Sequence, residues 1–185
     1  MEWKPHRTER LATGLFFEFD RMFFRDDAGN ELPRDVIRHR GGVSVLPVDG
    51  ETITLIRQHR VAVGANLLEA PAGKLEHGED PRVAAQRECV EEVGLEPITL
   101  IDIGPMETSP GFTDEIIHLY IADGVKRVDV QPEGAEEQDA EIVEMSLVEA
   151  VAAIEAGEIS DAKTRVLILT AIHRQDLRDR GTNDS

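Results

Sequence analysis

Residues 73–95 read GKLEHGEDPRVAAQRECVEEVGL, a glycine-containing loop that runs into a charged segment and is closed by another glycine. Asp80 is a favourable N-cap residue, and Pro81 suits the first helical position, where the backbone N–H has no intrahelical partner. Gly94 can adopt the left-handed conformation that commonly ends a helix. The sequence therefore predicts a helix from Pro81 to Val93.

Three glutamates of this helix, Glu88, Glu91 and Glu92, fall within about a third of its circumference. Like charges at this spacing destabilise an isolated helix by roughly 0.2 to 0.5 kcal/mol per pair, so the stripe needs a compensating cation. Carboxylates favour hard ions such as Mg²⁺ or Mn²⁺, which substrate phosphates often help to coordinate. The stripe indicates either a solvated acidic face or a metal site for phosphate chemistry. The predicted apolar side of the helix comprises Val83, Cys89, Val90 and Val93.

The spacing of the charged residues decides between these two interpretations. It runs Gly, five residues, Glu, seven residues, Arg-Glu, an aliphatic-type position, any residue, Glu-Glu, any residue, Gly and an aliphatic residue. This is the pattern of the Nudix box, with Cys89 at an aliphatic-type position as the one unusual residue. At average residue usage, a full match at one start arises by chance with a probability on the order of 10⁻⁸. The stretch therefore resembles the Nudix hydrolase family.

The resemblance implies an α/β fold, the Nudix α/β/α sandwich with a mixed sheet, and a Mg²⁺ cofactor, with Mn²⁺ as a possible substitute. It implies that Glu88 and Glu92 are metal ligands and that Glu91 is a further ligand or a metal-linked catalytic carboxylate. The carbonyl of Ala72, just before the box, is expected to be another ligand. The two remaining charged positions, expected to hold the loop onto the helix, are Glu79 and Arg87.

Three further matches narrow the resemblance to the ADP-ribose pyrophosphatases. Residues 109–115, SPGFTDE, carry a proline sixteen positions beyond the last glycine of the box, as that subfamily does. Residues 68–76, LEAPAGKLE, and residues 57–60, RQHR, are also similar. The resemblance implies hydrolysis of ADP-ribose, or of a related nucleoside diphosphate sugar, to AMP and ribose 5-phosphate. The expected substrate-binding residues are Arg60, Arg57, Arg34, Glu76, Ser109, Pro110, Gly111, Phe112 and Glu115.

Residues 131–141 form an acidic segment that contains proline and glycine, which by composition alone predicts a solvated loop. The family places a catalytic carboxylate in this loop. The register leaves two candidates, and Glu137 is preferred over Glu136.

Two other functions stay open beside the ADP-ribose pyrophosphatase. One is a Nudix hydrolase of GDP-mannose or of oxidised nucleotides, which would keep the chemistry and change the substrate. The other is a Nudix domain that binds ADP-ribose as a sensor without cleaving it. The complete set of box glutamates argues for an enzyme.

The remaining pattern predicts alternating strands and helices that fit the same fold. Asp49-Gly50 between two β-branched runs is a strong hairpin signal. Predicted strands are residues 15–24, 34–40, 43–48, 52–57, 98–103, 115–122 and 142–145. Ser146 is expected to cap one helix, and Ser160 or Asp161 a last one, with Val166, Leu169, Ile172 and His173 near one face.

Five of the six phenylalanines lie in the first 24 residues, so this segment must pack on its own domain or on a second subunit. The resemblance implies exchange with a second subunit, where the segment helps to clamp the adenine and Arg34 stacks on the base. We therefore expect an N-terminal β segment over residues 1–40, a catalytic domain over residues 41–185, and a homodimer.

Composition limits the other possibilities. The chain has 185 residues, a net charge of −17 and one cysteine. So acidic a protein is a poor partner for nucleic acid, whose phosphates are bound by Lys and Arg. No long apolar run and no basic leader are present, which predicts a cytoplasmic protein without a membrane span. Cys89 is expected to be a small buried hydrophobe, and no histidine is assigned to catalysis.

Overall fold

The computed structural model describes residues 4–129 and 140–183, with the backbone alone for residues 178–183. The chain begins with a three-stranded antiparallel sheet. Its strands are β1 (Arg7–Thr13), β2 (Phe17–Arg25) and β3 (Glu31–His39). Strands were predicted over 15–24 and 34–40. β1 was not predicted, because its sequence shows no apolar alternation. In the structure, all residues of β1 are exposed.

A second, seven-stranded sheet forms the centre of the molecule, in the order β10-β5-β4-β9-β8, with β6 added beside β5 and β7 beside β4. β4 and β9 pair in parallel, and the other pairs are antiparallel, so the sheet is mixed as expected. The strands are β4 (Gly42–Asp49), β5 (Thr52–Arg60), β6 (Ala65–Glu69), β7 (Ala72–Lys74), β8 (Leu95–Glu107), β9 (Ile116–Arg127) and β10 (Glu141–Ser146).

The predicted hairpin between β4 and β5 is confirmed. Asp49 pairs with Thr52, and Gly50 has a φ of +61°, the left-handed conformation that a glycine adopts without steric cost.

Helices cover both faces of this sheet: α1 (Pro81–Val93) on one, and α2 (Leu147–Glu155) and α3 (Ala162–Asn183) on the other. The sequence of β9 shows why, since successive side chains of a strand point to opposite faces. Leu119 and Ile121 belong to the core shared with α2 and α3, while Tyr120 and Ala122 belong to the core under α1. The fold is the expected α/β/α sandwich. Among the described residues, no helix is long and apolar enough to cross a membrane.

Two predicted helix faces were wrong in part. On α1, Cys89 and Val93 are buried as predicted, but Val83 is 55% exposed, and Ala84 and Ala85 are buried as well. On α3, Val166, Leu169 and His173 are exposed, whereas the buried residues are Thr164, Leu167, Ile168 and Ala171. The buried faces include the small Ala84 and Ala85 on α1 and the polar Thr164 on α3, so hydrophobicity alone misplaced part of each face.

Candidate active site

The box helix begins and ends as predicted. The side chain of Asp80 accepts a hydrogen bond from the Arg82 backbone N–H at 2.8 Å, and Pro81 follows in the first turn. Gly94 is left-handed, with φ at +64°, and its N–H bonds to carbonyls of the last turn. These caps set the register of the helix and therefore the direction of its three glutamates.

A cavity of about 820 Å³ lies against α1, and it brings together residues that are far apart in the sequence. It is lined by seven of the predicted site residues: Ala72, Glu76, Glu88, Glu91, Glu92, Arg60 and Glu115. Among the described residues of its wall, seven are acidic and four are Lys or Arg. An anionic ligand would therefore need additional positive charge to bind here.

Arg87 holds the box loop against the helix. Its Nε donates to Glu79 at 3.1 Å, and its Nη2 reaches the carbonyl of Lys74 at 3.4 Å. The hydrogen bond with Glu79, together with the nearby Glu88 and Glu91, raises the pKa of Arg87 against the effect of burial. The same bond lowers the pKa of the Glu79 carboxyl, so both groups stay charged at neutral pH.

Arg87 also supplies part of the positive charge that the acidic stripe requires. Its Nη1 lies 2.8 Å from Glu88 Oε1 and 2.9 Å from Glu91 Oε2. In the described part of the chain, no three His, Cys, Asp or Glu side chains are grouped closely enough to enclose a metal ion. The donors available, carboxylates and backbone carbonyls, are nevertheless the all-oxygen kind that suits Mg²⁺ or Mn²⁺.

The loop before the box is shaped around two of these carboxylates. A Cβ on Gly73 would lie 1.8 Å from Glu88 Oε1, so a larger residue at this position would displace the Glu88 carboxylate. The backbone N–H of Ala72 donates to Glu92 Oε2 at 2.8 Å. The backbone of this short loop thus lies directly against the acidic stripe.

Arg60 reaches the cavity as part of a buried charge network. Its guanidinium donates two hydrogen bonds to Glu69, at 2.7 and 2.8 Å, and Glu69 is only 1% exposed. Lys163 at the start of α3 also binds Glu69, and its Nζ lies 2.9 Å from Asp161. Thr164 accepts from the Ala70 N–H at 2.8 Å, so α3 and the loop after β6 are joined here.

Sequence reasoning did not identify Glu69, Asp161 and Lys163 as parts of the site. The contacting residues are up to 94 positions apart, beyond the reach of any local pattern. One available signal was Glu69 itself, a charged residue at the end of the apolar run before the box, because a buried carboxylate requires partners.

Other predicted residues lie outside the lining of this cavity. Arg57 pairs with the exposed Glu141 at 3.3 Å, and Arg34 donates to the carbonyl of Pro33 at 2.7 Å. The loop with Ser109, Pro110, Gly111 and Phe112 is tied to β3, through a hydrogen bond from the Ile37 N–H to the Phe112 carbonyl at 2.8 Å. Their substrate-binding roles remain predictions. Glu136 and Glu137 lie outside the described residues.

Cys89 is fully buried under the sheet, and burial together with the charge of Glu92 raises its pKa to about 12. We expect the native protein not to react with a chromogenic disulfide reagent at roughly pH 8, because the thiolate is the reactive form. The thiol should react once urea unfolds the chain. Stoichiometric reaction without unfolding would show that the thiol is accessible.

Because of Glu69, we expect the folded protein to lose stability in acid. Burial raises its pKa, but the hydrogen bonds from Arg60 and the charge of Lys163 outweigh burial, so the folded-state pKa lies below 4.5. The lowered pKa stabilises the fold above pH 4.5, and this stabilisation is lost as the pH falls through the folded-state value. Urea unfolding across this window should show a steeper pH dependence for the wild type than for Glu69→Gln. Equal dependences would contradict the expectation.

Comparison with known proteins agrees with this geometry. Residues 38–166 match the family model described as NUDIX domain. The chain is 36% identical over 168 residues to a methanol dehydrogenase activator of Bacillus methanolicus, covering 90% of this chain and 91% of that protein. It is 38% identical over 141 residues to an ADP-ribose pyrophosphatase of Bacillus subtilis, covering 76% of each.

A GDP-mannose pyrophosphatase of Citrobacter koseri is 36% identical over 160 residues, covering 77% of this chain and 82% of that protein. Among solved structures, an ADP compounds hydrolase superposes with a TM-score of 0.80 at 20% identity, covering 98% of this chain and 97% of that one. The structural likeness supports the fold. With its capped box helix, its matched domain and relatives along most of its length, the chain belongs to the NUDIX domain family and is a Nudix hydrolase.

Proposed function

We propose that this enzyme hydrolyses the pyrophosphate bond of a nucleoside diphosphate sugar, with ADP-ribose as the preferred substrate. The observation that carries the proposal is the convergence of Glu88, Glu91 and Glu92 with Arg60 on one cavity. The relatives named for ADP-ribose and for GDP-mannose support the substrate class. The subfamily matches around Pro110 and Arg60 favour ADP-ribose over GDP-mannose.

Nudix hydrolases generally use divalent metal ions, and we propose Mg²⁺, with Mn²⁺ as a possible substitute. Glu88, Glu91, Glu92 and the Ala72 carbonyl would hold it. When bound, the metal supplies positive charge that stabilises the phosphoryl oxygens in the transition state. It would also offset the excess of acidic residues in the wall of the cavity.

The protein's own residues position the substrate and accept the proton of the attacking water. Arg60, held by Glu69, binds the diphosphate, and water attacks one phosphorus while the bond from that phosphorus to the bridging oxygen breaks. The products are AMP and ribose 5-phosphate. Glu137, with Glu136 and Glu91 as the other candidates, accepts the proton of the attacking water.

The test is a panel of nucleoside diphosphate sugars with Mg²⁺, with products separated by chromatography. We expect AMP from ADP-ribose, and in ¹⁸O-labelled water we expect the label in one phosphate product only. Glu137→Gln should lower kcat more than it raises KM. Efficient cleavage of GDP-mannose without cleavage of ADP-ribose would reject the substrate and keep the reaction class.

We also propose that residues 1–40 pair with a second copy of the chain in a cytoplasmic homodimer. Apolar side chains are exposed around the turn that joins β1 and β2, including Leu15, which is 100% exposed. Phe16, in the same turn, lines the catalytic cavity and lies under the ammonium of Lys74 at 4.6 Å. An unpartnered apolar patch beside the cavity favours an interface at this place.

Sedimentation at micromolar concentration is expected to show a dimer. Leu15→Glu should shift it toward the monomer and lower activity, because a charge would have to be buried in the interface. Val148→Glu is the matched control, since Val148 is exposed on α2, which packs on the face of the sheet opposite α1. A wild-type monomer with full activity would contradict the proposal.

A further inference from the structure

Gln58, in the wall of the catalytic cavity, has a buried amide nitrogen that lacks a hydrogen-bond partner among the described residues. The residue is 6% exposed, and its Nε2 finds no acceptor in the described part of the chain. Other buried polar groups of the same sheet are paired: Ser44 donates to the Pro71 carbonyl at 3.1 Å, and Glu69 binds Arg60. Native proteins rarely leave a buried donor unpaired, so an unpaired one in a ligand cavity indicates a missing ligand acceptor.

The position of Gln58 on β5 identifies the kind of acceptor. Residues two apart on a strand share a face, so Gln58 lies next to Arg60 on the side of the sheet that carries α1. Lys163 lines the same cavity. An anionic group bound by these two cations would lie in the same cavity as the amide.

Carboxylate oxygens in this part of the site already accept hydrogen bonds from other groups. Glu92 Oε2 accepts from the Ala72 N–H, and both oxygens of Glu69 bind Arg60. The amide nitrogen of Gln58 therefore remains available as a hydrogen-bond donor to a ligand oxygen.

We propose that Gln58 is a substrate-binding residue, whose amide NH₂ donates a hydrogen bond to a non-bridging phosphate oxygen of the nucleoside diphosphate sugar. The inference rests on the proposed function and extends it to a residue outside the Nudix box. The bond holds the diphosphate in both the ground state and the transition state. Its loss should therefore raise KM much more than it lowers kcat.

The decisive variant is Gln58→Met, which keeps the length of the side chain and removes its polar atoms. We expect KM for ADP-ribose to rise about 10- to 100-fold, the range typical of a lost hydrogen bond to a charged group, with kcat nearly unchanged. The inhibition constant of inorganic pyrophosphate should rise in parallel. The melting temperature should stay the same or increase, because the amide nitrogen has no partner to lose among the described residues.

Gln86→Met is the matched control, since it makes the same chemical change at an exposed position of α1 outside the cavity lining. It should leave KM unchanged. A lower melting temperature for Gln58→Met with an unchanged KM would overturn the inference, because it would show a purely structural amide.

Gln58→Glu separates a donor to phosphate from a carbonyl ligand to a cation. Repulsion of the diphosphate should weaken substrate binding further than Gln58→Met does, whereas tighter Mg²⁺ binding with retained activity would overturn the donor role. If the wild type cleaved no member of the substrate panel, the proposed function would fail. Calorimetric binding of pyrophosphate to the wild type and to Gln58→Met would still decide the role of Gln58.

Discussion

Glu92→Gln is expected to lower kcat for ADP-ribose by about 10²- to 10³-fold, the scale on which loss of one group that stabilises transition-state charge acts. It should also weaken Mg²⁺ binding, because the variant loses a carboxylate charge from the proposed ligand set. The fold should be kept: Glu92 Oε2 accepts from the Ala72 N–H, and the amide oxygen of glutamine can accept the same bond. Steady-state kinetics, Mg²⁺ titration and thermal unfolding measure the three quantities.

Glu96→Gln is the control for this substitution. Glu96 is an exposed carboxylate just beyond the box, 3.6 Å from Lys126, and an ion pair of this kind contributes little. Its activity should equal that of the wild type. Wild-type Mg²⁺ affinity and turnover in Glu92→Gln would remove Glu92 from the proposed metal site.

Arg87→Met is expected to destabilise the metal-free protein by about 3 kcal/mol, the scale for breaking a largely buried ion pair by removing one partner. The guanidinium binds three carboxylates, those of Glu79, Glu88 and Glu91, all of them mostly buried. Without it these like charges face one another uncompensated. The free energy of unfolding in urea gives the measurement.

Mg²⁺ should restore part of the stability of Arg87→Met, because a divalent ion can replace the lost charge beside Glu88 and Glu91. Arg57→Met provides the control, since the pair of Arg57 with Glu141 is exposed, and the change should stay within about 0.5 kcal/mol. Equal losses in the two variants would show that the contacts of Arg87 do not stabilise the fold. Full stability of Arg87→Met would show the same.

Interactions between residues close in the sequence explain which structural features could be predicted. The caps of α1 depend on Asp80 and Gly94, which act within one turn, and the β4–β5 hairpin depends on the Asp49-Gly50 turn. The box glutamates are three and four residues apart, so the helix alone places them on one side. For these features, sequence neighbours are also spatial neighbours.

Packing between segments far apart in the sequence explains which structural features could not be predicted. Thr164 belongs to the buried face of α3, where its hydroxyl accepts from the Ala70 N–H and donates to Asp161, and a polar residue gives no hydrophobic signal. β1 forms by antiparallel pairing with the edge of β2, where Arg7 lies opposite Phe23. Neither feature follows from the residues of the element itself.

The sequence by itself determined the family, the box helix and the acidic stripe, because each depends on spacing within a single element. Only the tertiary structure showed that Arg87 neutralises two of the stripe glutamates and that Glu69 holds Arg60 and Lys163 at the cavity. Only it showed that the buried amide nitrogen of Gln58 has no partner among the described residues. The physical reason is that pairing and burial are properties of contacts, and these contacts join strands, loops and helices that the chain order keeps apart.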